Sequence, residues 1–309
     1  MGKNTRHPIG IMADSLRMPF AESLQKCRQL GADGVQLYAV SGEMAPEAQT
    51  PEKIAEKRRI LADNGLAVSA LCGDLGGHGF CLAEENPEKI LRSKRIVDLA
   101  LALDCHVVTT HIGVVPADTG CDRYRIMQQA CVELAEYAHQ NGAWFAVETG
   151  PEPAARLRQF LDSLGTPGVG VNMDPANLVM VTADDPVAAV HTLAPYIVHT
   201  HAKDGVMRKK TDPQIIYDFF AEGGIGDLRL EEYFLETPLG EGDVPIDAYL
   251  RALDDIGYRG YLTVEREVGA DPVADIRKAV DFLRQHCSST AATLRQHCDN
   301  TRKNKGAEK

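Results

Sequence analysis

The sequence predicts an α/β protein, a (β/α)8 barrel, and three observations support this prediction. Short β-branched runs alternate with longer amphipathic stretches, and the alternation repeats eight times. Each repeat takes roughly 30 to 40 residues, which matches a barrel of about 250 residues plus insertions. A doubly wound sheet, the competing architecture, would need a glycine-rich phosphate turn after the first strand. The turn there reads MADSLRMPF and contains no GxGxxG motif.

Composition narrows the class of protein further. The chain has 309 residues, of which 44% are hydrophobic, so it can bury a substantial core. Its net charge of -11 argues against a protein that grips nucleic-acid backbones. No run reaches the roughly 18 apolar residues of a membrane span, and MGKNTRHPIG lacks a signal-peptide core. Eight cysteines without a CxxC pair fit reduced thiols, so we expect a cytoplasmic protein with no membrane partner.

Eight segments show the composition and period of buried strands. They are IGIMAD (9–14), GVQLYA (34–39), AVSALCG (67–73), HVVTTHIG (106–113), WFAVETG (144–150), VGVNMD (169–174), IVHTHAKD (197–204) and YLTVERE (261–267). The helical patterns between them often end in Gly or Asn-Gly, which tolerate the left-handed conformation of a helix stop.

The domain organisation follows from this alternation. We expect one barrel domain over residues 8–285. Residues 205–245 exceed a typical loop of about 2 to 6 residues, which predicts an insertion or lid after strand seven. Residues 286–309 form a predicted C-terminal helical tail, where LRQHC at 283–287 recurs at 294–298.

Five predicted strands end in groups that could bind a metal or move a proton: His111, Glu148, Asp174, His201 and Glu265. In a (β/α)8 barrel the carboxyl ends of the strands form the active site, so these side chains would meet at one mouth. Two Glu, one Asp and one His are a mixed oxygen and nitrogen set for a divalent ion. The carboxylates favour Mn²⁺ or Mg²⁺, and because an imidazole is also present, Zn²⁺, Co²⁺ or Fe²⁺ could bind as well.

Four protein ligands leave two positions for the oxygens of a hydroxy-ketone. The ion would polarise the carbonyl, and an enediolate would form when the neighbouring C–H loses its proton. Glu148 and Glu265 could act as base and acid on opposite faces.

Five residues are candidates for substrate binding, namely His111 again, Asn177, Lys203, Tyr38 and Arg208. His111 could donate to the substrate or simply end a strand, and Tyr38 could stack on a sugar ring or pack in the core. Lys203 could bind a substrate hydroxyl or pair with a carboxylate. Arg208 begins a basic run that could meet an anionic substrate group or lie in a solvated loop.

Four motifs carry a family resemblance. They are AVETG (146–150), NMDPANL (172–178), HTHAKD (199–204) and PLGEGDVPIDAYLRALDDIGYRGYLTVERE (238–267). With them the chain resembles the xylose isomerase-like sugar phosphate isomerase/epimerase superfamily over nearly the whole barrel. This superfamily includes ketose 3-epimerases, inosose-processing enzymes, hydroxypyruvate isomerases and, more remotely, endonuclease IV. The resemblance implies that Glu148, Asp174, His201 and Glu265 bind the metal and that the two glutamates are the acid/base pair.

This chain departs from the family pattern after strand six, which limits how far the family's residue roles apply to it. Endonuclease IV has a histidine three residues after the strand-six Asp, and ketose 3-epimerases tend to have one there too, but this chain has Asn177. A trinuclear DNA-repair site is therefore not expected.

The leading hypothesis is a metal-dependent isomerase or epimerase of a keto sugar or polyol derivative, with Mn²⁺ favoured. The alternative is a lyase or dehydratase on the same scaffold, and a non-catalytic sugar-binding subunit is a third reading. The expected partner is a small-molecule sugar rather than a nucleic acid, and a homo-oligomer is compatible with the sequence.

Overall fold

A computed structural model describes residues 7–286, and eight parallel strands in it close into a barrel. The strands are β1 (Ile9–Met12), β2 (Gly34–Tyr38), β3 (Ala67–Cys72), β4 (Val107–Thr110), β5 (Trp144–Glu148), β6 (Val169–Met173), β7 (Ile197–Ala202) and β10 (Leu262–Val264). Each lies within a segment that the sequence predicts as a strand. The protein is a TIM barrel, so the predicted fold class is confirmed. Of the predicted tail at 286–309, all residues after His286 lie outside the described part of the chain.

Helices connect successive strands and cover the outside of the barrel. They are α1 (Phe20–Leu30), α2 (Pro51–Asp63), α3 (Asn86–Ala102), α4 (Asp122–Gln140), α5 (Ala154–Leu164), the single turn α6 (Pro175–Asn177), α7 (Pro186–Leu193), α8 (Pro213–Glu222), α9 (Ile246–Asp255) and α10 over residues 272–286. Within residues 7–286, no helix is long and apolar enough to cross a membrane.

The first and last barrel strands pair to close the sheet. In this parallel pair Gly10 of β1 lies opposite Thr263 of β10. A Cβ on Gly10 would lie 2.5 Å from Oγ1 of Thr263, so only glycine fits at this close approach.

The barrel interior below the mouth contains a hydrogen-bonded polar layer. His199 is buried there, and its ring nitrogens contact Asn172 Oδ1 at 2.8 Å, Thr263 Oγ1 at 3.0 Å and Ser69 Oγ at 3.3 Å. Burial lowers the pKa of His199 well below its ordinary value, so the imidazole is neutral. Buried polar groups in such a layer keep their partners and form a firm floor for the site above.

The long segment after β7 forms a two-stranded antiparallel ribbon and a helix. β8 (Asp204–Met207) pairs with β9 (Phe234–Thr237), and α8 lies between them in the chain. The Asp204 carboxylate fixes the chain where this segment leads back to the barrel. It accepts hydrogen bonds from the backbone N–H groups of Gly240, Gly242 and Val244 at 2.9 to 3.0 Å.

Candidate active site

The carboxyl ends of four strands position the predicted metal ligands. Glu148 is the last residue of β5, His201 lies in β7, and Asp174 and Glu265 directly follow β6 and β10. Asp174 also begins α6: its Oδ1 accepts hydrogen bonds from the N–H groups of Ala176 at 2.8 Å and Asn177 at 3.0 Å. This cap fixes the carboxylate and turns the other oxygen, Oδ2, toward His201.

These four side chains converge on one point. Nδ1 of His201 lies 3.3 Å from Asp174 Oδ2, 3.3 Å from Glu265 Oε2 and 3.5 Å from Glu148 Oε1. One ligand atom from each residue lies within 4.8 Å of the others, and all four residues are buried. Because three carboxylates crowd a buried space, a bound cation would relieve their mutual repulsion, and the donor set fits a divalent ion.

The other nitrogen of His201 supports this arrangement. Nε2 lies 2.9 Å from Gln36 Oε1, a carbonyl oxygen that can only accept a hydrogen bond. Asn172 Nδ2, at 3.2 Å from the same nitrogen, donates to Glu148 Oε2 instead. A proton on Nε2 leaves the Nδ1 lone pair free for a metal, as a hydrogen-bonded ligand histidine requires.

The electrostatics reflect the crowding of charge. Burial alone would lower the pKa of His201. The neighbouring carboxylates of Glu265 and Glu148 outweigh this effect and raise that pKa well above its ordinary value. Burial would raise the carboxylate pKa values, but His111 and His201 lower the pKa of Glu148, and His201 and Lys203 lower that of Glu265. The cluster therefore holds His201 protonated and both glutamates ionised when no metal is bound.

A cavity of about 550 Å³ opens above the cluster. Glu148 and Glu265 line this cavity, whereas Asp174 and His201 are fully buried behind them. A substrate in the cavity therefore meets the two glutamates directly.

The structure brings four of the five predicted substrate residues to this cavity: Tyr38, His111, Asn177 and Lys203. Arg208 does not line it, because its Nη1 donates to the Glu231 carbonyl on the exposed side of the β8–β9 ribbon.

Asn177 and His111 both approach Glu148. Asn177 Nδ2 donates to Glu148 Oε1 at 3.2 Å, and His111 Nε2 lies 3.6 Å from the same oxygen. Together with Asn172 on the other oxygen, these contacts hold the Glu148 carboxylate in one orientation.

Lys203 is buried and joins the cluster to the inserted segment. Its Nζ donates to Glu265 Oε2 at 2.8 Å and to Glu267, and it lies 3.6 Å from Glu236 of β9. Glu236 in turn pairs with buried Arg266 at 2.7 Å. Of the two readings of Lys203, the structure shows carboxylate pairing, at a position that a substrate can also reach.

Sequence reasoning missed Tyr217, which α8 carries into the site. Its ring packs edge-to-face on His111 with centroids 5.5 Å apart. Gly150 makes room for it: a Cβ there would lie 3.0 Å from Tyr217 Oη and 2.6 Å from the Cβ of Asn177. Gln36 and Asn172 were also missed, although a polar residue inside an apolar strand was a usable signal.

A family model of the xylose isomerase-like TIM barrel matches residues 24–286. The chain belongs to this family, so the resemblance is confirmed. Its structural neighbours include one protein named as an epimerase and one named as a probable dehydratase.

Three solved structures resemble the fold closely. A xylose isomerase domain protein from Planctomyces limnophilus is 26% identical, with TM-score 0.75 over 94% of this chain and 100% of that chain. A xylose isomerase-like TIM barrel protein from Mycobacterium smegmatis in complex with magnesium is 20% identical, with TM-score 0.69 over 94% and 99%. The 3-keto-D-glucoside 4-epimerase YcjR from E. coli is 15% identical, with TM-score 0.66 over 91% and 100%. At these identities the last two show the fold alone.

A curated relative, the uncharacterized protein YfiH from Bacillus subtilis (strain 168), is 30% identical over 154 residues. The match covers 45% of this chain and 42% of that protein, less than half the length of either.

Proposed function

We propose that this protein is a divalent-metal-dependent isomerase or epimerase that acts on a keto sugar or polyol derivative through an enediolate. The proposal rests on which of the four candidate metal ligands face the cavity. Glu148 and Glu265 reach the cavity, while Asp174 and His201 lie behind them. Two carboxylates that face one substrate can take a proton from carbon and return it.

Glu148, Asp174, His201 and Glu265 would hold the metal. Three carboxylates favour Mn²⁺ or Mg²⁺, and we propose Mn²⁺ because the imidazole ligand suits it better than Mg²⁺. When bound, such an ion supplies Lewis-acid polarisation of the substrate carbonyl, which acidifies the neighbouring C–H.

The chain's own residues then position the proton transfers. Asn172 and Asn177 each donate to one oxygen of Glu148, which fixes that carboxylate as the base or acid on its side of the substrate. Lys203 donates to Glu265 Oε2 and restrains the second carboxylate in the same way. Since Tyr217 and other residues of α8 line the cavity, the inserted segment limits the access of water to the reacting carbon.

A lyase or dehydratase is the second candidate, and one observation favours it. Lys203 and His111 also line the cavity, so proton donors other than the two glutamates face the substrate. Elimination needs a donor for the leaving group after the same C–H step.

Deuterium exchange distinguishes these reactions. The purified protein would first be analysed for metal, loaded with Mn²⁺ and incubated in D₂O with ketoses and 3-keto glycosides. Deuterium next to the carbonyl in an isomer or epimer supports the proposal, and exchange with loss of water or an aglycone supports the lyase. A stoichiometric metal without exchange on any of these substrates contradicts both.

Variants then connect the reaction to the site. Glu148→Gln should keep the fold but lose deuterium exchange, because it removes both a proposed metal ligand and a proposed base. Glu133→Gln is the matched control, because it breaks only a surface ion pair with Lys94. Equal exchange rates in both variants would contradict the role of Glu148.

A further inference from the structure

Four lining side chains of the cavity can carry a positive charge: His78, His111, Arg123 and Lys203. Carboxylates lie beside three of them. Lys203 contacts Glu265, His111 lies 3.6 Å from Glu148, and His78 lies 2.8 Å from Glu222 on α8. Arg123 differs, because no carboxylate of the described residues lies within 4.0 Å of its guanidinium nitrogens.

Arg123 is the second residue of α4 and is half-buried. Its Nε is shielded from solvent and has no hydrogen-bond partner within the described part of the chain. Its side chain does interact with Cys81, whose pKa burial raises, so the neighbour is a neutral thiol. A guanidinium is always charged, and a partly desolvated one without a counterion is unfavourable. The guanidinium therefore lacks a counterion among the described residues, although the protein has a net charge of -11.

Cys81, which contacts Arg123, lies against Gly113, where two loops of the cavity wall meet. Gly79 and Gly113 both have positive φ, at +60° and +90°. A Cβ on Gly79 would lie 2.2 Å from the carbonyl carbon of Ile112, so the loops after β3 and β4 meet backbone to backbone. Lys89 holds one of these loops from outside, since its Nζ donates to the Gly79 carbonyl at 2.7 Å. Close backbone contact and Lys89 thus hold these two loops in place near the guanidinium.

Several carboxylates also line the cavity. Asp74 is one of them, and its Oδ1 accepts a hydrogen bond from the N–H of Gly76 at 2.9 Å. Neither Asp74 nor any other carboxylate of residues 7–286 lies within 4.0 Å of the Arg123 guanidinium nitrogens.

We propose that Arg123 is the anion-binding residue of the substrate cavity and that the substrate is an anionic keto sugar, with a carboxylate or a phosphate group. This inference rests on the proposed function, because it places the reacting carbon at Glu148 and Glu265 in the same cavity. The planar guanidinium binds either anion through two parallel hydrogen bonds, which selects for the charged substrate.

Calorimetric titration of the Mn²⁺-loaded protein tests the proposal with D-fructose, D-fructose 6-phosphate and D-fructuronate as probes. We expect an anionic ketose to bind at least about tenfold more tightly than D-fructose, in line with charge-assisted hydrogen bonds. Arg123→Gln should remove this preference and leave D-fructose binding within about twofold. Tight binding of the phosphorylated probe alone identifies a sugar phosphate, and of fructuronate alone a sugar acid.

Arg125→Gln is the matched control, because this exposed arginine in the same helical turn pairs with Asp122. Arg123→Lys keeps the charge and should keep a weaker preference, which provides a second test if the Gln variant does not fold. Equal binding of neutral and anionic ketoses by the wild type overturns the proposal. So does an equal loss of the preference in the Arg123→Gln and Arg125→Gln variants.

The proposed anion site and the proposed reaction can be contradicted independently of each other. If the anionic ketoses bind through Arg123 but show no deuterium exchange, the anion site stands and the proposed reaction is wrong. If neutral ketoses exchange deuterium at rates that Arg123→Gln leaves unchanged, and anionic ketoses bind no better, the reaction stands and the anion site is wrong.

Discussion

The Gln36 amide in β2 contacts His201 on the side away from the carboxylates and supports its orientation. Gln36 Oε1 accepts the Nε2 proton, and Gln36 Nε2 donates to Thr109 Oγ1 at 2.9 Å, which fixes the amide. Outer partners of this kind typically change metal affinity by about 10- to 100-fold.

Gln36→Met should therefore weaken Mn²⁺ binding by about 10- to 100-fold while nearly preserving side-chain volume. Without the acceptor, the imidazole can rotate or carry its proton on Nδ1. Free Mn²⁺ measured by electron paramagnetic resonance gives the affinity. Gln128→Met on α4 is the control, since its amide donates to Ser163 at a distance from the metal cluster. Unchanged affinity in Gln36→Met would show that the amide does not orient the ligand.

Glu265 has two roles in the proposed mechanism, as ligand and as acid or base. Glu265→Gln keeps the size of the side chain but removes the charge that His201 and Lys203 both contact. We expect Mn²⁺ affinity to fall by at least about 100-fold and deuterium exchange to be lost, with far-ultraviolet circular dichroism unchanged. Normal metal content and activity in Glu265→Gln would contradict the assignment of four metal ligands.

Among the elements, the inserted segment depends on buried charge for its attachment to the barrel. Glu236 of β9 is buried, and its Oε1 accepts from Arg266 Nη1 at 2.7 Å and from the N–H of Glu267 at 3.1 Å. Arg266 also donates to Asp275 of α10 at 2.9 Å. One network thus joins the insertion, the strand end that carries Glu265 and the last described helix.

Glu236→Ala should destabilise the protein by about 3 kcal/mol, because breaking a buried ion pair leaves an uncompensated charge. Urea denaturation measures this change, and limited proteolysis should cut first within the inserted segment. Glu232→Ala is the comparison, since this exposed residue of the same segment pairs only with Arg229 at the surface. A similar small loss in both variants would mean that the network does not anchor the insertion.

The eight barrel strands were predictable from local pattern, whereas the elements of the insertion were not. β8 and β9 are short, and their pairing depends on contacts between residues such as Asp204 and Thr237 that are far apart in the chain. The predicted strand segments also extend past the carboxyl ends of the observed strands, because the residues that follow leave the sheet at the mouth.

At the scale of the whole molecule, the cluster makes stability depend on pH and on metal. In the metal-free protein the raised pKa of His201 stabilises the fold at pH values below about 6.5, the ordinary value in the unfolded chain. This contribution is lost as pH rises toward the folded-state pKa. The lowered pKa values of Glu148 and Glu265 act in the opposite sense, since their contribution is lost as pH falls below about 4.5.

The free energy of unfolding of the metal-free wild type, minus that of His201→Gln, should therefore decrease from pH 6.5 upward. Denaturant titrations in a chelator at several pH values measure this difference. Excess Mn²⁺ should reverse the trend, because metal binding displaces the proton of His201 and grows stronger with pH. At 100 times the dissociation constant the ion should add about 2.7 kcal/mol. A difference that is flat with pH would contradict the charge state assigned to His201.

A homo-oligomer stays a prediction, and sedimentation of the full chain checks it.

The sequence by itself determined the barrel and the four clustered residues, because strand periodicity and the carboxyl ends of strands are local features with fixed consequences in a parallel barrel. Only the tertiary structure decided which of these residues face the cavity, that Gln36 contacts His201 across 165 positions of chain, and that Tyr217 rather than Arg208 enters the site. Those outcomes depend on how distant segments pack, which no local pattern encodes. For the same reason only the fold places Arg123 in the cavity wall without a carboxylate partner among residues 7–286.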